Sequence, residues 1–134
     1  MQIYSVNNTN FKANILPSRA LTSALELAQS EARTGGEKGM KRAAKFYNSL
    51  RTIENDKTED YFFIDMNSER FYPYIRLGNI TRILEFFKYK ENNIANAVID
   101  GVNKLVENKY TVSEMVNEAK NVDLTKSFIK WAKV

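Results

Sequence analysis

Apolar residues recur at two different periods along this chain. After Pro17, the residues Leu21, Ala24, Leu25, Ala28 and Ala32 keep the three-to-four-residue spacing of one helix face. Ser18 stands before them as an N-cap. Gly35 and Gly36 follow as a helix end, because glycine tolerates the left-handed backbone that closes many helices. The same period resumes from Glu37 to Glu54 with Met40, Ala43, Phe46, Tyr47, Leu50 and Ile53. Lys38, Lys41, Arg42 and Lys45 then fall together on the far side of that helix. The linker Thr34-Gly35-Gly36 makes the pair a helical hairpin.

The period then drops to two. Tyr61-Phe62-Phe63-Ile64-Asp65 and Arg70-Phe71-Tyr72-Pro73-Tyr74-Ile75 are rich in strand formers, with Asn67-Ser68 between them. A β-hairpin closed by a two-residue turn sets Asp65 opposite Arg70, Phe63 opposite Tyr72 and Tyr61 opposite Tyr74. One face carries Phe62, Ile64, Met66, Phe71, Pro73 and Ile75. The other carries Tyr61, Phe63, Asp65, Arg70, Tyr72, Tyr74 and Arg76. Pro73 cannot donate to a ladder, which places its strand at an edge or near its end. Gly78-Asn79 ends the strand, and Ile80, Ile83, Leu84 and Phe87 read as a short helix.

Residues 91–109 hold the clearest helical stripe: Ile94, Ala97, Val98, Gly101, Val102 and Leu105. Gly101 lies on that stripe, where another backbone can approach closely. Thr111 with Glu114 matches a capping box for a helix through Ala119, and Asp123 caps a last helix with Leu124, Phe128, Trp131 and Ala132. Ahead of all this, the Asn-rich stretch Asn7 to Asn10 reads as a turn. Residues 1–17 are therefore an N-terminal arm or edge strand, and residues 18–134 a single globular domain. The fold class is α+β: a mainly helical single domain of about six helices with one aromatic-rich β-hairpin.

Composition removes several kinds of chemistry. The 134 residues include no Cys and no His. Disulfides, thiol nucleophiles, His general bases and the usual zinc ligand sets are excluded with them. No apolar run reaches the ~18–20 residues of a membrane span, and no secretory signal opens the chain. A cytoplasmic location is expected. Lys- and Asn-rich, Gly-poor usage points to a low-GC coding source, bacterial or phage.

The net charge is +4, but it is unevenly spread. Residues 37–53 are net +4, residues 54–69 net −5 and residues 70–90 net +4. The simplest arrangement sets the acidic segment against its basic neighbours. The acidic pairs Glu54/Asp56 and Glu59/Asp60 fall in an apparent loop without the burial that separates carboxyl pKa values for acid–base work. The stretch Gly35-Gly36-Glu37-Lys38-Gly39-Met40-Lys41-Arg42 lacks the spacing of a phosphate-binding loop and reads as a helix–helix turn. Glu107-Asn108-Lys109 and Glu118-Ala119-Lys120 end like a nuclease Glu-x-Lys signature, but on helices and without a partner Asp. A helix pair followed by a hairpin also has the order of a winged helix-turn-helix. Only one helix precedes the basic one, however, and the entry to the would-be wing would repel phosphates.

What remains is binding. Six of the 16 aromatics lie in residues 61–74, and Tyr and Arg are the side chains enriched in protein-binding hot spots. The sequence is expected to encode a non-catalytic protein, with no cofactor and no metal. It would engage another protein through Tyr61, Phe63, Arg70, Tyr72, Tyr74 and Arg76. The alternative is sequence-independent nucleic-acid binding through the basic face Lys38, Lys41, Arg42 and Lys45, with Arg82. No membrane partner is expected, and self-association is compatible with either reading.

Overall fold

In the computed structural model, Ser18 does start the first helix: its Oγ accepts the Leu21 N–H at 3.1 Å. The structure describes residues 13–67, 72–84 and 93–132, with the backbone alone at Met66, Asn67, Tyr72 and Asn93. The arm residues 1–12, the hairpin residues Arg70 and Phe71, and Phe87 lie outside the described residues, as does the side chain of Tyr72. Helix α1 spans Arg19–Thr34 and α2 spans Gly36–Glu54. The α1 stripe is buried as its spacing requires, from Ala20 through Ala32. On α2 the buried set is Ala43, Phe46, Tyr47, Ser49, Leu50, Thr52 and Ile53. Met40, expected on that stripe, is instead 40% exposed. Two polar residues join the stripe because each finds a partner. Ser49 Oγ donates to Asn103 Oδ1 at 2.7 Å, and Thr52 Oγ1 donates to the Asn48 carbonyl at 2.8 Å.

The sheet has four strands in the order β1-β2-β3-β4. Strand β1 (Asn14–Ile15) runs parallel to β2 (Tyr61–Asn67), so the α1–α2 hairpin is the crossover between them. Strand β3 (Tyr72–Leu77) is antiparallel to β2, and β4 (Ile80–Ile83) is antiparallel to β3. Two expectations change here. The β2–β3 register pairs Phe63 with Arg76, Asp65 with Tyr74 and Asn67 with Tyr72, so each β2 residue meets a partner four positions beyond the one that a turn at Asn67-Ser68 would give it. The shift is even, so each strand keeps its inward and outward faces while every cross-strand partner changes. Residues 80–83 form a strand, not a helix. Gly78 takes φ +58, which permits a tight two-residue turn that pairs Leu77 with Ile80. Strand β3 is consequently internal, with Pro73 near its start. Its carbonyl still accepts Leu84 N–H at 2.9 Å, so the donor it lacks falls at the end of the β4 ladder.

All three described α-helices lie on one side of this sheet. Helix α1 packs on β2, α3 (Asn93–Lys109) packs on β3, and α2 meets the sheet chiefly at β1. Phe62, Ile64, Ile75 and Leu77 close the core from the sheet side, and each is at most 1% exposed. Burial of such side chains stabilises by about 1.5–3 kcal/mol each. Gly101 accommodates the Leu84 side chain and the Ile75 Cδ1, not a neighbouring backbone. A Cβ there would overlap Leu84.

The two C-terminal helices read from the sequence are 3₁₀ turns: Val112–Glu114, Ala119–Asn121 and Ser127–Trp131. The Glu114 carboxylate does accept the Thr111 N–H at 2.8 Å, but one turn is all that this box nucleates. The segment is fixed by α2 side chains instead. Asn48 Oδ1 accepts the N–H groups of Glu118 and Ala119 at 2.9 and 3.0 Å, and Thr52 Oγ1 accepts that of Val116 at 2.9 Å. Phe128 and Trp131 then dock on Phe46 and Tyr47 with ring centroids 5.4–5.9 Å apart. Trp131 Nε1 donates to Glu54 Oε2 at 2.8 Å, which satisfies its buried indole N–H.

Candidate functional site

Period-two alternation gives the sheet one core face and one outward face. The outward rows can be read from the register. Asp65, Tyr74 and Ile83 form one row across β2, β3 and β4, and Phe63, Arg76 and Thr81 form the next. Tyr61 lies beyond them, opposite Asn14 on β1. Tyr61, Phe63 and Tyr74 are half-buried and stay outside the core cluster, while Arg76 is exposed and Ile83 is 60% exposed. Phe63 and Tyr74 meet edge to face with centroids 6.3 Å apart, so part of their burial is mutual. Arg76 Nε reaches back to the Gly78 carbonyl at 3.4 Å. The structure thus brings Tyr61, Phe63, Tyr74 and Arg76 onto one surface. Sequence reasoning missed two members of it, Thr81 and Ile83, because it read their segment as helical. The β-branched residues Ile80, Thr81 and Ile83 directly after the Gly78-Asn79 turn signal were the available cue.

The five basic residues of the alternative reading do not form one surface. Lys38 and Lys41 are exposed on α2. Arg42 is held by Glu31 of α1 at 2.8 Å, Asn96 of α3 at 2.8 Å and Asp100 of α3 at 3.3 Å. Lys45 pairs with Glu107 at 2.7 Å. Arg82 sits on β4, an edge of the sheet, whereas α2 meets the sheet chiefly at the opposite edge, β1.

The acidic segment is tied down locally. The Asp56 side chain is 6% exposed and accepts from Thr58 Oγ1 and Tyr110 Oη, both at 2.6 Å, and from Thr58 N–H at 2.8 Å. Burial disfavours its charge, but these hydrogen bonds and nearby Lys109 outweigh that and hold the carboxyl below the ordinary aspartate value. Tyr110 is pushed well above the ordinary tyrosine value, first by burial and then by its bond to the Asp56 carboxylate. Lys109 also pairs with Glu59 at 3.2 Å, and Glu59 in turn lies against Gly78. The cluster fastens the acidic loop to the C-terminal end of α3 and to the β3–β4 turn. Glu54 pairs with Arg51, and Arg51 with Glu118 at 2.9 Å, which raises the guanidinium pKa, chiefly through the Glu118 hydrogen bond.

Two hollows of about 450 and 460 Å³ lie beside α2, and the hydrogen-bonded pair Asn48 and Asn117 lines both. Ala44, Val106, Met115 and Val116 line the first, and Met40, Val122 and Leu124 line the second; Lys41 borders both. Asp123 borders the second, with its carboxyl held low by hydrogen bonds from Thr125 within an ordinary turn. Among the described residues no group of acidic side chains is placed to hold a metal ion, and no helix is long and apolar enough to cross a membrane.

No family model, curated protein or solved structure matches this chain.

Proposed function

We propose that this protein is a non-catalytic binding module that takes another protein on the outward face of its sheet. One observation carries the reading. The described α-helices all cover one face, and the other face presents Tyr61, Phe63 and Tyr74 outside the core, with exposed Arg76 and Ile83 beside them. Aromatic rings on a rigid strand supply large contact area at low entropic cost, and Arg adds planar hydrogen bonding. The backbone of Tyr72 pairs with that of Asn67, two positions along β3 from Tyr74. The nucleic-acid alternative has less support, since Arg42 and Lys45 already serve ion pairs within the fold.

Immobilised wild-type chain and variants separate the two readings. Tyr74→Ala is expected to abolish capture of a protein partner from lysate while melting cooperatively within a few degrees of wild type. Lys41→Glu is expected to leave that capture intact. A gel shift with random duplex DNA that falls steeply with salt, and falls further in Lys41→Glu, would overturn the reading in favour of phosphate contacts. Loss of cooperative melting in Tyr74→Ala would place that ring in the core and equally refute it.

A further inference from the structure

Among the described residues β4 is the last strand of the sheet, and its outer edge narrows what a partner looks like. Leu84 N–H donates to the Pro73 carbonyl, so these two residues are a hydrogen-bonded pair of the antiparallel ladder. Such pairs alternate along a ladder. The register then makes Ile75–Arg82 and Leu77–Ile80 the next bonded pairs. Thr81 and Ile83 must turn their N–H and C=O groups away from β3, toward that outer edge. Among the described residues no backbone group bonds to either. Two outward residues at a spacing of two are the footprint of one added strand.

Charge decides between the candidate strands. Arg82 lies between Thr81 and Ile83, half-buried, on the side of the sheet that Ile75 faces, and it forms no ion pair among the described residues. Strand β4 contains no acidic residue, and exposed Arg76 lies across from Thr81. A second copy making all the edge hydrogen bonds would set Thr81 against Ile83 and Arg82 directly against Arg82. In that pair the Cα atoms approach to about 4.5 Å. Like charges so opposed are destabilising. A strand with a carboxylate at that position is favoured instead.

We infer that the β4 edge receives an extended acidic segment of another protein as a fifth strand. This rests on the binding-module reading and names the chemistry of its partner. Running antiparallel, the guest reads apolar, acidic, polar, apolar, opposite Ile83, Arg82, Thr81 and Ile80 in turn. Its first residue extends the outward row of Tyr74 and Ile83, and its carboxylate meets the Arg82 guanidinium.

The test selects binders to the full chain from a displayed library of random ten-residue peptides, then titrates the enriched peptides by fluorescence anisotropy. Enrichment of Asp or Glu next to an apolar residue is expected. Ile83→Pro removes an outward N–H and no β3 bond, and its backbone suits an edge strand. It is expected to weaken the enriched peptide by at least about fivefold. Arg82→Glu changes a half-buried side chain but no backbone donor or acceptor of the ladder; with cooperative melting retained, it is expected to weaken the acidic peptide by roughly three- to tenfold and to favour its Glu-to-Lys version. Enriched peptides without an acidic position, or binding unchanged by both variants, would overturn the inference. Peptides lost in Tyr74→Ala but kept in Ile83→Pro would overturn it while leaving the outward face as the binding surface. No enrichment would sink both. A dimer in sedimentation that Ile83→Pro dissociates would assign the edge to a second copy, which also overturns it.

Discussion

Arg42 tests whether the basic face of α2 serves the fold or a ligand. Its Nη1 donates to Glu31 Oε2 at 2.8 Å, and its Nη2 to Asn96 Oδ1 at 2.8 Å and to Asp100 Oδ1 at 3.3 Å. One guanidinium thus bridges α1, α2 and α3. The Arg42 and Glu31 side chains are 26% and 25% exposed, and Asp100 is 46% exposed. A well-shielded hydrogen bond to a charged group contributes about 1.5–3 kcal/mol, whereas an exposed ion pair contributes about 0–1 kcal/mol. The Glu31 contact belongs near the bottom of the first range, the Asp100 contact near zero, and the Asn96 bond adds a fraction of a kcal/mol. Removing Arg42 also takes the guanidinium from Glu31, whose Oε1 is buried with no hydrogen-bond partner among the described residues. Arg42→Ala is therefore expected to cost about 2 kcal/mol. At this chain length about 1 kcal/mol lowers Tm by roughly 3–5 °C, so melting followed by circular dichroism should drop by about 6–10 °C. Arg42→Lys keeps a point charge but loses the planar fork, and should recover only part of the deficit. Lys38→Ala, with an exposed side chain, should melt within about a degree of wild type. An Arg42→Ala variant melting within about 2 °C of wild type would refute the reasoning. The guanidinium would then be available to a surface ligand, and the basic-face reading would regain its central residue.

Three further outcomes follow from the packing of the C-terminal segment and the acidic loop. Phe128 is fully buried against Phe46 and Tyr47, so Phe128→Ala should cost about 3–5 kcal/mol, read from the urea midpoint. Asn48→Ala deprives the Glu118 and Ala119 N–H groups of their acceptor; their amide exchange should accelerate first, with a global loss of about 1–2 kcal/mol. The Asp56–Tyr110 contact should shape stability at both ends of the pH scale. The Asp56 carboxyl titrates lower folded than unfolded, so its contribution is complete above about pH 4 and lost as pH falls through the folded value. The Tyr110 phenol titrates higher folded than unfolded, so its contribution is complete below about pH 10 and lost as pH rises further. Urea midpoints against pH should show the acid limb flattened in Asp56→Asn and the alkaline limb flattened in Tyr110→Phe.

Local signals were legible wherever one residue or one period settles the conformation. Ser18 caps α1 because its side chain reaches an N–H three residues on, whatever the rest of the chain does. The faces of β2 and β3 survived an error in register, because alternation depends on parity and not on partner. Pro73 illustrates the limit. Its missing donor implies an edge strand or a place near a strand end, and only the second holds: Pro73 is the second residue of β3, while β4 covers the side that would have been an edge. The pattern Ile80, Ile83, Leu84 fits a helix turn as well as it fits a strand with one buried end. Only pairing with β3 distinguishes them.

The sequence by itself determined the α1–α2 hairpin, the α3 stripe, the two faces of the aromatic strands, and the absence of Cys and His chemistry. Each of these rests on a local period or on composition. Only the tertiary structure decided that Arg42 bridges three helices, that α2 side chains hold the C-terminal turns, and that Arg82 stands on the last strand of the described sheet, at the edge opposite the one α2 meets. These depend on residues 54 to 71 positions apart for the Arg42–Asn96 and Asn48–Ala119 contacts, and on strand order for Arg82. A charge pattern along the chain records which charges exist. Their partners are fixed only when the helices dock, because a salt bridge or a captured N–H is set by distance in space, and the chain's local periods carry none of that distance.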